Sequence, residues 1–306
     1  MAITKEEHFG IARKIVSNMT AESWETIPHG AMIYEPDVTQ FMKECKKLNE
    51  GNTDKSSKIT INTVMLKVIS EGLKAAPKLN AHLEFNRKLV RGCLKTYDNI
   101  DISMPMILPS GEMMTVNMHD MGSKTLTQMT AAINDTIRRA KNTDMNEVMF
   151  EVSLDNTLKN LAKGKIGQTV CRLIGSKTGK HKVKTLSGKA KKEYYAIPAT
   201  ERLTKHDIEQ GTTTISNLGS VYRPFKGACS LLEIIPPQVS AFAINAAQKR
   251  AIVKTDENGE DKIEVGYVMP ITVAIDHKAL DYGDVVPFFQ KLDEIFENPQ
   301  IIHSWK

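Results

Sequence analysis

Apolar residues recur at helical spacing in four places. Phe41, Met42, Cys45 and Leu48 share one face, and Asp37 or Thr39 is placed to cap that helix. Ile61, Val64, Met65, Val68, Ile69 and Leu73 form a second stripe that Pro77 must end, since proline lacks the amide hydrogen a helix needs. Leu126, Met129, Ile133 and Ile137 form a third. Val285, Phe288, Phe289, Leu292 and Phe296 form a fourth, with Asp284 as the expected cap and Pro287 tolerated in the first turn. Strand patterns concentrate late in the chain, at 212–216, 239–245 and 250–255. Asn258-Gly259 signals a hairpin, and the return run, 262–275, ends directly on Asp276-His277. Earlier, 99–108 reads as a strand, Pro109-Ser110-Gly111 as a turn and 113–117 as its return. Helices and strands alternate, so the pattern predicts a mixed α/β sheet protein.

One stretch breaks this rhythm. Residues 148–174 keep helical spacing, whereas 176–192 are rich in Gly, Ser, Thr and Lys and read as a mobile basic loop. We therefore expect an insertion over 142–199, helical then basic, projecting from a single catalytic domain and dispensable for its folding. Charge sharpens the picture. The whole chain carries a formal +5, yet eleven Lys/Arg and no acid lie between Lys159 and Lys192, leaving 30 basic and 36 acidic residues elsewhere. That segment is a solvated surface or a site for an anionic partner. It lacks the interleaved aromatics of a nucleic-acid surface, which argues against that class of partner.

Composition excludes other classes. At 306 residues the chain can bury a large core, and no run approaches the roughly 20 apolar residues of a membrane helix. The N-terminus has no apolar leader, so a cytoplasmic protein is expected. Cys45, Cys93, Cys171 and Cys229 lie far apart, which reads as free thiols and no metal site.

Two stretches could carry chemistry. His277 follows an apolar strand and precedes a helix, with Asp281 four residues on. A neutral histidine there can accept a proton from a thiol or hydroxyl, and Asp281 can orient its ring. The same pair could simply stabilise a turn. Thr213-Thr214-Ile215-Ser216-Asn217-Leu218-Gly219 is a strand entering a turn, and Ser216 could donate to a developing oxyanion or be an ordinary strand residue.

Both stretches resemble, in order, the catalytic domain of the dihydrolipoamide acyltransferases of 2-oxo acid dehydrogenase complexes, akin to chloramphenicol acetyltransferase. That family carries F-T-I-S-N-L-G and then D-H-R-x-x-D-G, matched here by 213–219 and by Asp276-His277-Lys278-Ala279-Leu280-Asp281. Arg13-Lys14-Ile15-Val16-Ser17-Asn18-Met19 is similar to its opening R-K-x-I-A-x-x-M. Ile27-Pro28-His29, Pro77-Lys78-Leu79-Asn80-Ala81, Pro236-Pro237-Gln238-Val239 and Glu297-Asn298-Pro299 follow in family order. The sequence departs at Tyr282, where the pattern has Gly, and the similarity breaks at about 142 and resumes at about 200. The resemblance implies a two-layer α/β sandwich with a mixed sheet, a homotrimer with sites between subunits, and acyl-CoA as substrate. It implies His277 as base, Ser216 as oxyanion donor, and Asp281 as a positioning residue in an interior ion pair with Arg13. No metal and no covalent lipoyl group are expected, and no lipoyl module precedes Arg13, so the acceptor would come in trans. The alternative is a non-catalytic trimeric scaffold that kept the fold and binds a partner.

Overall fold

The computed structural model describes residues 2–107, 113–162, 166–183 and 185–306. The expected turn at Pro109-Ser110-Gly111 and part of the basic run, Lys163, Lys165 and Lys184, lie outside the described residues. The strands are β1 (His29–Tyr34), β2 (Ala81–Asn86), β3 (Arg91–Thr96), β4 (Ile102–Ile107), β5 (Met113–Met118), β6 (Thr213–Asn217), β7 (Ser240–Ile244), β8 (Gln248–Thr255), β9 (Asp261–Val268) and β10 (Ile271–Asp276). The helices are α1 (Ile11–Thr26), α2 (Thr39–Lys47), α3 (Ile61–Ala75), α4 (Leu126–Lys141), α5 (Met145–Ala162), α6 (Ile166–Lys177), α7 (Gly188–Ala196), α8 (Lys205–Ile208), α9 (Leu218–Val221) and α10 (Tyr282–Glu297). The chain groups into two compact units. One comprises 1–21, 106–117 and 135–210; the other comprises 22–105, 118–134 and 211–306.

A six-stranded sheet has the order β1-β10-β7-β6-β4-β5. β1 and β7 run antiparallel to β10, whereas β7, β6 and β4 are mutually parallel, so the sheet is mixed. Every residue of β7 and β10 is buried, which explains their near-continuous apolar runs: a strand covered on both faces has no polar side to alternate with. α3 and α10 pack together with no room for a side chain at Gly72. A methyl there would lie 2.6 Å from the Phe288 ring and 2.8 Å from Leu292. Phe288 in turn stacks on Phe242 of β7, centroids 5.1 Å apart, so α10 is pressed on the sheet. The long run predicted at 262–275 divides at Met269-Pro270 into β9 and β10. β9 pairs with β8 in a separate two-stranded ribbon, because proline cannot donate to a ladder.

In the smaller unit, α5 is not a free projection. Val148 and Met149 are buried with Ile11, with Ile15, Phe150 and Val183 packed around them. A second cluster joins Met114, Val116, Ala140 and Leu203. The expected basic loop is in part a helix, α7. Its Tyr194 is buried beneath the Arg202 guanidinium, 4.9 Å from the ring centroid. Glu147, with its side chain fully buried, accepts from the Leu186 amide (3.1 Å) and the Tyr195 hydroxyl (3.1 Å), and pairs with Lys191 (2.8 Å). Composition counted the lysines but missed the two tyrosines and the distant carboxylate that organise them.

Candidate active site

β10 ends on Asp276, and a dense set of bonds fixes the turn after it. The buried Asp276 carboxylate accepts from the Lys278 amide at 2.9 Å and pairs with the Lys278 ammonium at 3.3 Å. Its carbonyl accepts from the amides of Ala279 (2.9 Å) and Leu280 (3.1 Å). The Lys278 ammonium also donates to the Thr26 carbonyl at 2.6 Å, and buried Leu280 plugs the turn into the core. The His277 amide donates to the Pro28 carbonyl at 2.9 Å. With its backbone held this way, His277 presents its ring outward, the side chain 56% exposed. Gly30 leaves space beside it: a methyl at that position would lie 3.7 Å from the His277 ring carbon Cδ2.

Asp281 is the N-cap of α10 and places its carboxylate oxygen 3.3 Å from His277 Nδ1. That geometry favours the tautomer with the proton on Nδ1, which leaves the Nε2 lone pair facing outward as the basic atom. Asp284 is therefore not the cap the pattern suggested. It sits one turn in, accepts from the Asp281 amide at 3.0 Å, and pairs with Lys78 at 2.8 Å. The Asp281 amide bond, first, and then Lys78 hold the Asp284 carboxyl below the usual carboxylate range. Tyr282 is the first residue of the helix, 62% exposed, with no left-handed backbone there, so a side chain is accommodated where the motif has Gly.

The resemblance implied an interior ion pair between Arg13 and Asp281. Arg13 lies exposed on α1 in the smaller unit, and the Asp281 side chain is 83% exposed in the larger. The Asp281 carboxylate is turned to His277.

Ser216 sits half-buried near the end of β6, and its hydroxyl has no hydrogen-bond partner among the described residues. The next residue, Asn217, accepts from the Ser220 amide (2.8 Å) to start α9 and donates to Asn62 Oδ1 (2.5 Å). Gly219 must be glycine-sized, since a methyl would meet Ala246 Cα and the Asn245 carbonyl at 2.9 Å. Sheet register separates this serine from the histidine. Ser216 is level with Ala243 on β7, and Ala243 with Thr272 on β10. His277 lies five residues further on, about 16 Å along the strand, and two strands across, about 10 Å, so the two are about 19 Å apart.

Sequence reasoning named two further groups only within matched motifs and gave them no role. His29 Nε2 accepts from the Ile234 amide at 3.1 Å while Ser23 donates to the Ile234 carbonyl at 2.7 Å, clamping the segment before β7 against β1. Burial, ahead of its other influences, lowers the His29 pKa. Lys78, noted only within a motif, anchors the start of α10 through Asp284. Neither has a local signal, because each depends on a partner some 200 residues away in the chain. Among the described residues no three His, Cys, Asp or Glu side chains are grouped to hold a metal ion, no helix is long and apolar enough to cross a membrane, and the four cysteines are free thiols.

A family model, 2-oxoacid dehydrogenases acyltransferase (catalytic domain), matches residues 2–162 and 181–303, so only 163–180 interrupts it. The chain is 23% identical over 292 residues to the dihydrolipoyllysine-residue acetyltransferase component of the pyruvate dehydrogenase complex of Rickettsia bellii, covering 95% of this chain and 52% of that protein. The chain thus spans about half the length of the curated relatives it matches. A probable dihydrolipoamide acetyltransferase from Listeria monocytogenes has the same fold, with a TM-score of 0.64, 17% identity and coverage of 96% and 94%. So has the Azotobacter vinelandii dihydrolipoamide acetyltransferase, with a TM-score of 0.65, 14% identity and coverage of 98% and 94%. That enzyme was studied for the roles in its catalytic mechanism of a serine, a histidine and the asparagine four residues after the histidine.

Proposed function

Because this chain belongs to the 2-oxoacid dehydrogenases acyltransferase catalytic-domain family, we propose that it transfers an acyl group between CoA and a thiol or other acceptor supplied in trans, dihydrolipoamide being the first candidate. The family match runs through both compact units, interrupted at 163–180 in the smaller one, and we treat them as parts of one acyltransferase domain. The observation that carries the reading is the fixed His277–Asp281 pair at the end of β10.

His277 Nε2 takes the proton from the attacking thiol, and the sulfur adds to the thioester carbonyl. Asp281 holds the Nδ1 proton and stabilises the imidazolium that forms. The tetrahedral oxyanion accepts a hydrogen bond from Ser216, whose hydroxyl is unspent in the single chain. Collapse breaks the other carbon–sulfur bond, and the imidazolium returns its proton to the leaving thiolate. No acyl-enzyme is required. A Ser216 about 19 Å from His277 in its own chain cannot serve that histidine, so the donor comes from a neighbouring copy. A homotrimer with its sites between subunits meets this need, and it also allows Arg13 and Asp281, both exposed in one chain, to pair between copies. The basic run takes a subsidiary role. Lys191 is neutralised by Glu147, while Lys180, Lys182 and Lys192 remain exposed to an anionic partner. We place the protein in the cytoplasm.

The test is thiol release from a panel of acyl-CoAs with and without dihydrolipoamide, beside thermal unfolding with CoA. Turnover that falls by about 10²–10⁴ in His277→Ala supports the reading. A CoA-induced thermal shift without any turnover would point to the scaffold that kept the fold and lost the chemistry.

A further inference from the structure

His29 takes no part in the acyl-transfer chemistry, yet it stands next to the base. It opens β1 directly opposite Asp276, the last residue of β10. The bond from the His277 amide to the Pro28 carbonyl, 2.9 Å, makes His29 and Asp276 a non-hydrogen-bonded pair. Side chains of such a pair lie on one face and closest together across the sheet.

The His29 ring is committed to one protonation state. A backbone amide can only donate, so the 3.1 Å bond from the Ile234 amide requires a bare Nε2. The Ser23 hydroxyl lies 3.2 Å from the same nitrogen and gives its proton to the Ile234 carbonyl at 2.7 Å. The ring proton therefore sits on Nδ1, which is buried and lacks a well-formed hydrogen bond among the described residues. Leaving a buried donor poorly bonded is destabilising, and what the arrangement secures is an acceptor at Nε2. Burial lowers the pKa of this ring, outweighing the Ile27 carbonyl and the carboxylates of Asp276 and Glu233, which favour the charged form; Lys278 acts with burial. Ile27 and Ile234 are buried in one cluster with Ala241 and Ala274, so the clamp closes over apolar side chains.

We propose that neutral His29 is a positioning residue for His277: by holding Ile234 on Nε2 it fixes the Pro28 carbonyl that receives the His277 amide, and it leaves the Asp276 carboxylate to the turn that follows. The proposal rests on the acyltransferase reading and deepens it. The link is short. Pro28 and His29 are consecutive, as are Asp276 and His277, so a shift at the start of β1 moves the backbone of the base directly. A protonated ring would point a second hydrogen at the Ile234 amide. Its charge would also compete for the Asp276 carboxylate, which now accepts from the Lys278 amide and pairs with the Lys278 ammonium. Either change loosens the turn that orients His277.

The test joins thiol-release kinetics on the full chain with two readouts that need no turnover. His29→Phe keeps a ring and removes the acceptor, whereas His29→Gln places an amide oxygen where Nε2 was. His29→Phe is expected to lower kcat about 10- to 100-fold, the effect of a misplacement of about 1 Å, with KM for the best acyl-CoA of the panel within about twofold. His29→Gln should regain most of that loss. In nitrogen NMR of isotopically labelled histidines, the His277 ring should be the Nδ1-protonated tautomer in wild type, a mixture in His29→Phe and the wild-type form again in His29→Gln. In a Trp305→Phe background Trp24 is the one indole left, its ring centroid 5.3 Å from that of His29. A protonated imidazole quenches a neighbouring indole, so Trp24 fluorescence should fall with a midpoint below pH about 6.5, and stay level in His29→Gln. Unchanged kcat in His29→Phe, equal changes in kcat and KM, or no rescue by His29→Gln overturns the proposal. So does a His277 tautomer that ignores both variants, or a quenching midpoint at or above pH about 6.5. If His29→Phe does not fold, Ser23→Ala, which frees only the Ile234 carbonyl, is read the same way with an expected fall in kcat of about two- to tenfold. Wild type that turns over no acyl-CoA counts against the acyltransferase reading, and the tautomer and fluorescence measurements still decide the role of His29.

Discussion

If Ser216 and His277 act on the same thioester from different chains, two inactive variants should restore one another. Register puts Ser216 level with Thr272, five residues short of His277 and two strands away. The resulting separation of about 19 Å far exceeds a hydrogen bond and is fixed by the sheet ladder. Alone, Ser216→Ala should lose about 10²–10³ in turnover and His277→Ala about 10²–10⁴. Each variant supplies the group the other lacks. After equal amounts are unfolded together and refolded, or co-expressed, each site in a cyclic assembly draws its histidine from one chain and its serine from the next. Both are intact with probability one half times one half, so about a quarter of the wild-type rate returns, well above either variant. Wild type mixed equally with the double variant gives the complementary figure. Sites shared between chains predict about a quarter of the wild-type rate per site, and sites within a chain about a half. The assay is thiol release at fixed total protein. A mixture of single variants that stays at the average of its parents would refute the shared site, as would a half-maximal rate with the double variant.

Further outcomes follow from the packing and the charges. Gly72→Ala should lower the thermal midpoint: overpacking costs about 1–3 kcal/mol, which outweighs the roughly 1 kcal/mol alanine gains over glycine in a helix, and a raised midpoint would contradict the close α3–α10 packing. Glu147→Ala leaves the Leu186 amide without its acceptor, at about 1–3 kcal/mol for a group left unpaired, while the Tyr195 hydroxyl keeps Glu151; faster hydrogen exchange at Leu186 is the readout, and unaltered protection there would argue against the clamp. Deleting 163–180 should preserve cooperative unfolding, whereas deleting 142–199 should abolish it by removing Val148 and Met149 from their core. Burial works against ionisation of Asp101, but bonds from His119 and the Asp120 amide win and hold its pKa at about 2. A depressed carboxylate stabilises the fold above its ordinary value of about 4 and loses that contribution as pH falls toward 2. Asp101→Asn should therefore show a flatter stability profile between pH about 4 and 2 in urea titrations, and parallel profiles would count against the assignment.

Regular elements with one buried face were legible in the sequence because burial imposes a period. α3, α4 and β7 follow from their apolar spacing alone, whereas β10 was legible only as the end of a longer run. The β2–β3 hairpin escaped notice because it is mostly exposed and carries little alternation. α7 was hidden by its lysines, since what fixes it is Glu147, some forty residues earlier. The cap of α10 was misplaced by one turn because two aspartates compete for the role, and the chain uses Asp281 as the cap with Asp284 bonded back to it. His277 and Asp281 were legible as a pair, being neighbours in sequence. The expected Arg13–Asp281 contact spans most of the chain and has only a motif behind it.

The buried Glu147 clamp has a consequence for how this chain can vary in length. Val148 and Val183 are packed in one cluster, and Glu147 binds Leu186, Tyr195 and Lys191, so both shoulders of the intervening excursion are pinned. A tethered loop grows more costly only with the logarithm of its length, about 0.6 kcal/mol for each doubling. Residues 163–180, between those shoulders and outside the family match, are therefore a graft point: they can absorb added sequence, a reporter or a whole folded module, without asking the sheet that carries His277 to give anything up.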